Sequence, residues 1–170
     1  MTKYLLIDGY NIIFAWDELI NLADSSLDHA RVRLSNILSN FSGFTNEHII
    51  LVFDAHKVNG GIENVGHKNN ITTVYTKEKE TADTFIERAA RVLAKKYFVR
   101  VATSDITEQI VIIGYGVYVV SAGAFESEVK SVTKKISEIT KNRPVKNNML
   151  IDNLDPKTAE KLEELRNKKR

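Results

Sequence analysis

Asp8 directly follows the apolar run KYLLI (Lys3–Ile7), Asp54 follows HIILVF (His48–Phe53), and Asp105 closes the stretch VATSD. A fourth set of oxygens lies in KEKETADTF. There Glu80, Asp83 and Thr84 fall at i, i+3 and i+4, the spacing that places side chains on one face of a helix. If the apolar runs are strands of an open α/β sheet, the aspartates stand outside the strands' carboxyl ends, where such sheets bind ligands. A helix beginning near Asp83 starts at the same edge. Carboxylates brought together repel one another, and a shared proton or a hard divalent cation relieves the repulsion. Oxygen donors without cysteine suit Mg²⁺ or Mn²⁺. These ions activate water and neutralise phosphodiester charge during in-line displacement. Each acid also has an ordinary use. A lone Asp after a strand is most often an N-cap or turn residue. Asp105 could cap TEQIVIIG, Glu80 could complement a helix dipole, and Asn11 could cap the first helix. One shared site accounts for their common placement better than separate coincidences.

The elements that must carry these residues are short. KYLLI, HIILVF, ITTVY (Ile71–Tyr75), FVRVAT (Phe98–Thr103) and VYVV (Val117–Val120) read as strands. Their near-continuous apolar character is that of a parallel sheet covered on both faces. Helical spacing connects Leu27, Ala30, Leu34, Ile37, Leu38 and Phe41, with Ser25 and Asp28 resembling a capping box. A second stripe joins Ala82, Phe85, Ile86, Ala89 and Leu93, and another joins Val129, Val132, Ile136 and Ile139. TEQIVIIGYG reads as a short helix ending on glycine. Strands alternating with helices predict an α/β fold. The stretch from His56 to Asn70 reads as a long, polar, glycine-rich loop, with His56 and His67 exposed.

Composition narrows the class. The 170 residues fit one domain of ordinary apolar (43%) and charged (27%) content. Cysteine is absent, which excludes disulfides and thiolate metal sites and is compatible with a reducing cytoplasm. No apolar run is long enough for a bilayer, and the start MTKYLLIDGYN lacks a secretory core, so a cytoplasmic, membrane-free protein is expected. From Lys130 onward there are 12 Lys+Arg against 6 Asp+Glu, a balance that suits a polyanionic partner or a solvated helix surface. DPKTAEKLEELRNKKR offers Asp155 as N-cap and Pro156 at the first helical position, with a thin apolar face. There is no P-loop, no dinucleotide fingerprint and no serine-hydrolase elbow. His29, His48, His56 and His67 lack zinc-site spacing.

Taken together, LLIDGYNII, VFDAH, TKEKETADTFIE and VATSD resemble the YacP-like branch of NYN-domain proteins, PIN-like ribonucleases of bacteria. The resemblance runs in order from Lys3 to Arg143. It implies a three-layer α/β/α sandwich with a parallel sheet of about five strands, ordered 3-2-1-4-5. It implies endoribonuclease activity at acids binding Mg²⁺ or Mn²⁺. Asp8, Asp83 and Asp105 match the catalytic and metal-holding positions, Asn11 the motif's amide, and Asp54 and Glu80 supporting positions. No acid departs from the pattern. Some members of the branch are similar to ribosome-associated nucleases that cut messenger RNA during translation, which makes mRNA and the ribosome expected partners. Residues 1–143 would form the nuclease domain and 144–170 a basic extension with a peripheral helix.

On this reading the hydroxyls of Thr103 and Ser104 orient water or a phosphate oxygen. Arg31, Arg33, Lys57, Lys77, Lys79, Lys134 and Lys135 are candidate RNA contacts, although surface cations are usually just solvated. Tyr10, Phe14 and Trp16 could stack on a base, with core packing the commoner use. Two other classes compete with this reading. A phospho-acceptor signalling domain would want paired acids after the first strand and a lysine after the fifth, where this chain has IDGYN and SAGAF. A non-catalytic RNA- or ribosome-binding module of the same fold would not need the intact acids.

Overall fold

The computed structural model describes residues 2–54, 65–68, 70–77, 80–104 and 112–142. Six strands form one sheet: β1 (Lys3–Asp8), β2 (His48–Phe53), β3 (Val65–Lys68), β4 (Ile71–Tyr75), β5 (Phe98–Ala102) and β6 (Tyr118–Val120). The helices are α1 (Gly9–Ile13), α2 (Asp17–Ser25), α3 (Leu27–Thr45), α4 (Ala82–Leu93) and α5 (Ala122–Asn142). Sheet order is β3-β4-β2-β1-β5-β6. Every pairing is parallel except that of β3 with β4. The five expected strands thus keep their expected order, and the sixth is an added antiparallel edge. The chain divides into two compact units, Met1–Ser137 and Glu138–Arg170. Sheet, core and site belong to the first, and of the second only the end of α5 is described.

The strands bury both faces because their side chains alternate. Leu5 and Ile7 of β1, Leu51 and Phe53 of β2 and Ala102 of β5 pack with Ile12, Leu19, Leu34, Phe41 and Phe125 under α1, α2, α3 and α5. Leu6, Val52, Val99 and Val101 point the other way, into a cluster with Ala82, Ile86 and Ala90 of α4 and with Ile112 and Val117. This is a three-layer α/β/α sandwich. Two polar ties, one buried and one part-buried, fix the first layer. Trp16 Nε1 donates to the Ala122 carbonyl at 2.9 Å, joining the start of α2 to the start of α5.

The second tie is an ion-pair network. Arg100, from β5, donates to both carboxylate oxygens of Glu128 on α5 (3.0 and 2.5 Å) and reaches Glu47 Oε1 at 3.3 Å. The paired Glu128 carboxylate, with Glu47, holds the guanidinium above its ordinary pKa against the opposing effect of burial.

Some expectations need correction. Ser26, not Ser25, caps α3: its backbone is extended and its side chain accepts from the His29 amide, whereas Ser25 ends α2. Part of the expected His56–Asn70 loop is β3, which four residues of mostly polar character do not announce. Val129 and Val132 are buried as expected, but Ile139 is 58% exposed. The expected helix TEQIVIIGYG is described only from Ile112, through a turn ending at Gly116 (φ 75°). His67 is exposed, on β3; His56, Lys57, Lys79, Asp105 and the 143–170 tail lie outside the described residues.

Replacing Arg100 by Ala leaves Glu47, whose side chain is only 5% exposed, without its cation. We expect a loss of about 2–4 kcal/mol in chemical denaturation. A change below about 0.5 kcal/mol would show that the network is not a structural tie.

Candidate active site at the carboxyl edge of the sheet

The register levels the strand ends. Ile7 faces Ala102, so Asp8 stands beside Thr103, and Asp8 itself faces Val52. Asp54 lies two residues past Val52, about 7 Å farther along the strand direction. Alternation places Asp8 with Leu6, Asp54 with Val52, and Thr103 with Val101, all on the face covered by α4. The first turn of α4 carries Asp83. Three elements therefore direct acids to one edge and one face of the sheet.

Asp8 has a structural duty as well. Its Oδ1 accepts from the Asn11 backbone amide at 3.0 Å and caps α1. That bond uses one of a carboxylate's roughly four acceptor positions. Asn11 is the next link, because its side-chain oxygen accepts from the Ser104 amide at 3.0 Å. Ser104 Oγ in turn accepts from the Ala122 amide at 3.3 Å. The ends of β1 and β5 and the start of α5 are thereby tied through three consecutive polar contacts.

Gly9 is fixed by packing. A Cβ there would stand 2.2 Å from Cε1 of Phe53. The Phe53 ring is buried and meets Tyr10 edge-on at 5.2 Å between centroids and Tyr75 face-on at 5.5 Å. Glycine is thus required by an aromatic ring of the neighbouring strand, more immediately than by a ligand. Tyr10 is held too: Arg31 Nη1 donates to its hydroxyl at 2.7 Å, and Arg31 also pairs with Asp28. Burial pushes the Tyr10 phenol above its usual value, and the Arg31 charge partly offsets that.

The start of α4 departs from the expected spacing. Thr81 is the N-cap, its Oγ1 accepting from the Thr84 amide at 3.2 Å and lying 2.9 Å from the Thr84 hydroxyl. Glu80 therefore precedes the helix and does not share a helical face with Asp83. Its carboxylate pairs with Arg88 at 2.6 Å. Thr103 is wholly buried, so its hydroxyl does not face solvent at the edge. Tyr10 and Trp16 are core residues, and of the three aromatics considered only Phe14, at 51% exposure, offers a surface.

The candidate cations divide similarly. The Arg31 side chain is 12% exposed and engaged within the fold. Arg33 pairs with Glu18 at 2.6 Å. Lys77 follows β4 at the site edge and is exposed. Lys134 and Lys135 are exposed on α5, but about 18 Å of helix rise separates Lys134 from the edge residue Ala122. Among the described residues no three His, Cys, Asp or Glu side chains gather as an ion site, and Asp105 lies outside them. The donors at the edge are all oxygen, which fits Mg²⁺ or Mn²⁺. Two positioning pairs, Gly9–Phe53 and Tyr10–Arg31, had no local sequence signal.

Comparison with known proteins places this geometry. The chain matches the model of the YacP-like NYN domain over residues 5–167. It is 38% identical over 145 residues to YacP of Bacillus subtilis (strain 168), covering 82% of this chain and 85% of that one. The crystal structure of Rae1 (YacP) from B. subtilis superposes with a TM-score of 0.74 at 33% identity, covering 96% of this chain and 94% of the other. The crystal structure of a point mutant of the same B. subtilis protein gives a TM-score of 0.70 at 32% identity, over 95% and 99%.

Gly9→Ala should cost about 1–3 kcal/mol by overpacking. In a double-mutant cycle Phe53→Leu should recover part of that loss; strictly additive costs would refute the contact. The raised Tyr10 phenol sets a pH prediction. Above about pH 10 the unfolded phenol loses its proton first, so stability falls as pH rises. Tyr10→Phe should flatten that alkaline slope in denaturant titrations.

Proposed function

The chain belongs to the YacP-like NYN domain family, with its PIN-like nuclease fold, and on that footing we propose that it is a divalent-metal-dependent endoribonuclease acting in the cytoplasm on mRNA at the ribosome. The observation that carries the reading is the position of Asp8. It ends the central strand, on the sheet face shared with α4, whose first turn holds Asp83. Asp8, Asp83 and Asp105 are assigned to hold Mg²⁺ or Mn²⁺, with Asp54 and Glu80 in support. When bound, such an ion acidifies water and neutralises charge on the phosphodiester.

The chain's own groups do the positioning. The Asn11 amide proton orients the Asp8 carboxylate, and the Asn11 side chain fixes the backbone of Ser104 beside it. The start of α4 directs its dipole toward an anionic phosphate. Lys77, exposed at the same edge, is assigned a phosphate contact. Hydrolysis adds water across one P–O bond, and the leaving ribose oxygen takes up a proton.

The test compares wild type with Asp8→Asn and Asp83→Asn on structured and unstructured RNA in Mn²⁺, Mg²⁺ and EDTA. Asparagine caps a helix about as well as aspartate, so Asp8→Asn should keep wild-type thermal stability. Cleavage should need metal and fall roughly 100-fold or more in each variant. Asn11→Ala should lose about 10- to 100-fold, as a positioning residue does. Wild-type cleavage rates in both aspartate variants would remove these acids from the site. If bare RNA stays intact, the same comparison is run on translating ribosomes. No cleavage there, with binding retained, would leave a non-catalytic RNA-binding module.

A further inference from the structure

The outer face of α4 carries cations that the edge chemistry does not use. Thr84, Arg88 and Arg91 follow one another at spacings of four and three and share one side of the helix, and Lys95 continues the row in the turn just past its C-cap, Ala94. They line a shallow depression of about 340 Å³ together with Glu87 and Val92. The row starts one residue after Asp83 and runs about 16 Å from Thr84 to Lys95.

The charges on this face are unevenly committed. Arg88 is held by Glu80 at 2.6 Å and lies over the Phe85 ring at 5.4 Å from its centroid. Glu87, the acid in the depression, accepts from the Tyr115 hydroxyl at 3.0 Å. Arg91 and Lys95 are exposed and one turn apart, and Val92 between them is 61% exposed. A cationic row interleaved with apolar surface suits a single strand, which offers both phosphates and unstacked bases. A duplex keeps its bases stacked and offers such a surface phosphates and 2′-hydroxyls but no free base faces.

We propose that the outer face of α4 is a track for single-stranded RNA, with Arg91 and Lys95 contacting successive phosphates and Val92 meeting a base or ribose. The track leads toward the carboxyl edge at Asp83. It deepens the nuclease reading and rests on it for the identity of the strand. It differs from that reading in being measurable without cleavage.

The experiment titrates a labelled single-stranded RNA in EDTA against wild type, Arg91→Gln/Lys95→Gln, and Lys134→Gln/Lys135→Gln, across a salt series. A duplex of equal length is the second arm, and thermal melting checks folding of each exposed-site variant. The α4 variant should bind single strand about five- to tenfold more weakly, with a log–log salt slope shallower by about 1.4. The α5 variant should change less, and the duplex should bind more weakly than the single strand. In metal, the α4 variant should raise KM and leave kcat near wild type. Wild type that binds no single strand, an α4 variant that binds like wild type, or equal loss on duplex and single strand would each overturn the track. No cleavage by wild type on bare RNA or on translating ribosomes, with the α4 dependence of binding intact, overturns the nuclease reading and supports the track.

Discussion

The Phe53 ring lies where a side chain at position 9 would have to be, and the geometry of the site edge depends on that approach. The central strand must leave the sheet at a residue without a Cβ. With glycine there the chain turns at once into α1, which makes Asp8 its N-cap and brings the Asn11 amide onto the carboxylate. The same turn brings the Asn11 side chain to the backbone of Ser104, across to the neighbouring strand. A packing constraint in the hydrophobic layer thus sets the orientation of polar groups at the edge. Asp8 serves folding and the proposed chemistry through the same atoms, since a capped carboxylate is held in one place.

Much of the fold was legible because parallel strands buried on both faces leave near-continuous apolar runs, and the five such runs are the five parallel strands. β3 was not legible. An edge strand needs no apolar pattern, and its four residues read as loop. The cap of α3 was misplaced by one residue because Ser25 and Ser26 are both competent, and only the end of α2 decides between them. Ile139 kept helical spacing with Val132 and Ile136 while lying exposed, since periodicity tells which residues share a side but not how far along the helix cover extends.

At the candidate site, the positions of Asp8 and Asp54 were readable from the strand ends, and the partners of neighbouring groups were not. Asn11 and Ser104 are 93 residues apart, and Arg100 and Glu47 are 53 apart. Glu80 and Arg88 show the local version of the problem. The spacing of Glu80, Asp83 and Thr84 holds for a helix containing all three, and Thr81 begins the helix after the first. Hydrogen bonding by one threonine redirects a carboxylate toward an arginine two turns into the helix. Arg31, similarly, looked like a surface cation and is a tether for Tyr10.

The antiparallel direction of β3 has its own consequence. The chain leaves the sheet after Phe53 at the carboxyl edge and re-enters it at Val65, opposite Val74, one residue short of the same edge. Both anchor points of that connection therefore sit at the same edge, near Asp54 and Thr76. The register of the five parallel strands is independent of how many residues join these anchors. Doubling a loop's length costs only about 0.6 kcal/mol in closure entropy. The ends of that connection are fixed by the sheet, so a change in its length leaves the strands that carry Asp8 and Asp54 in register.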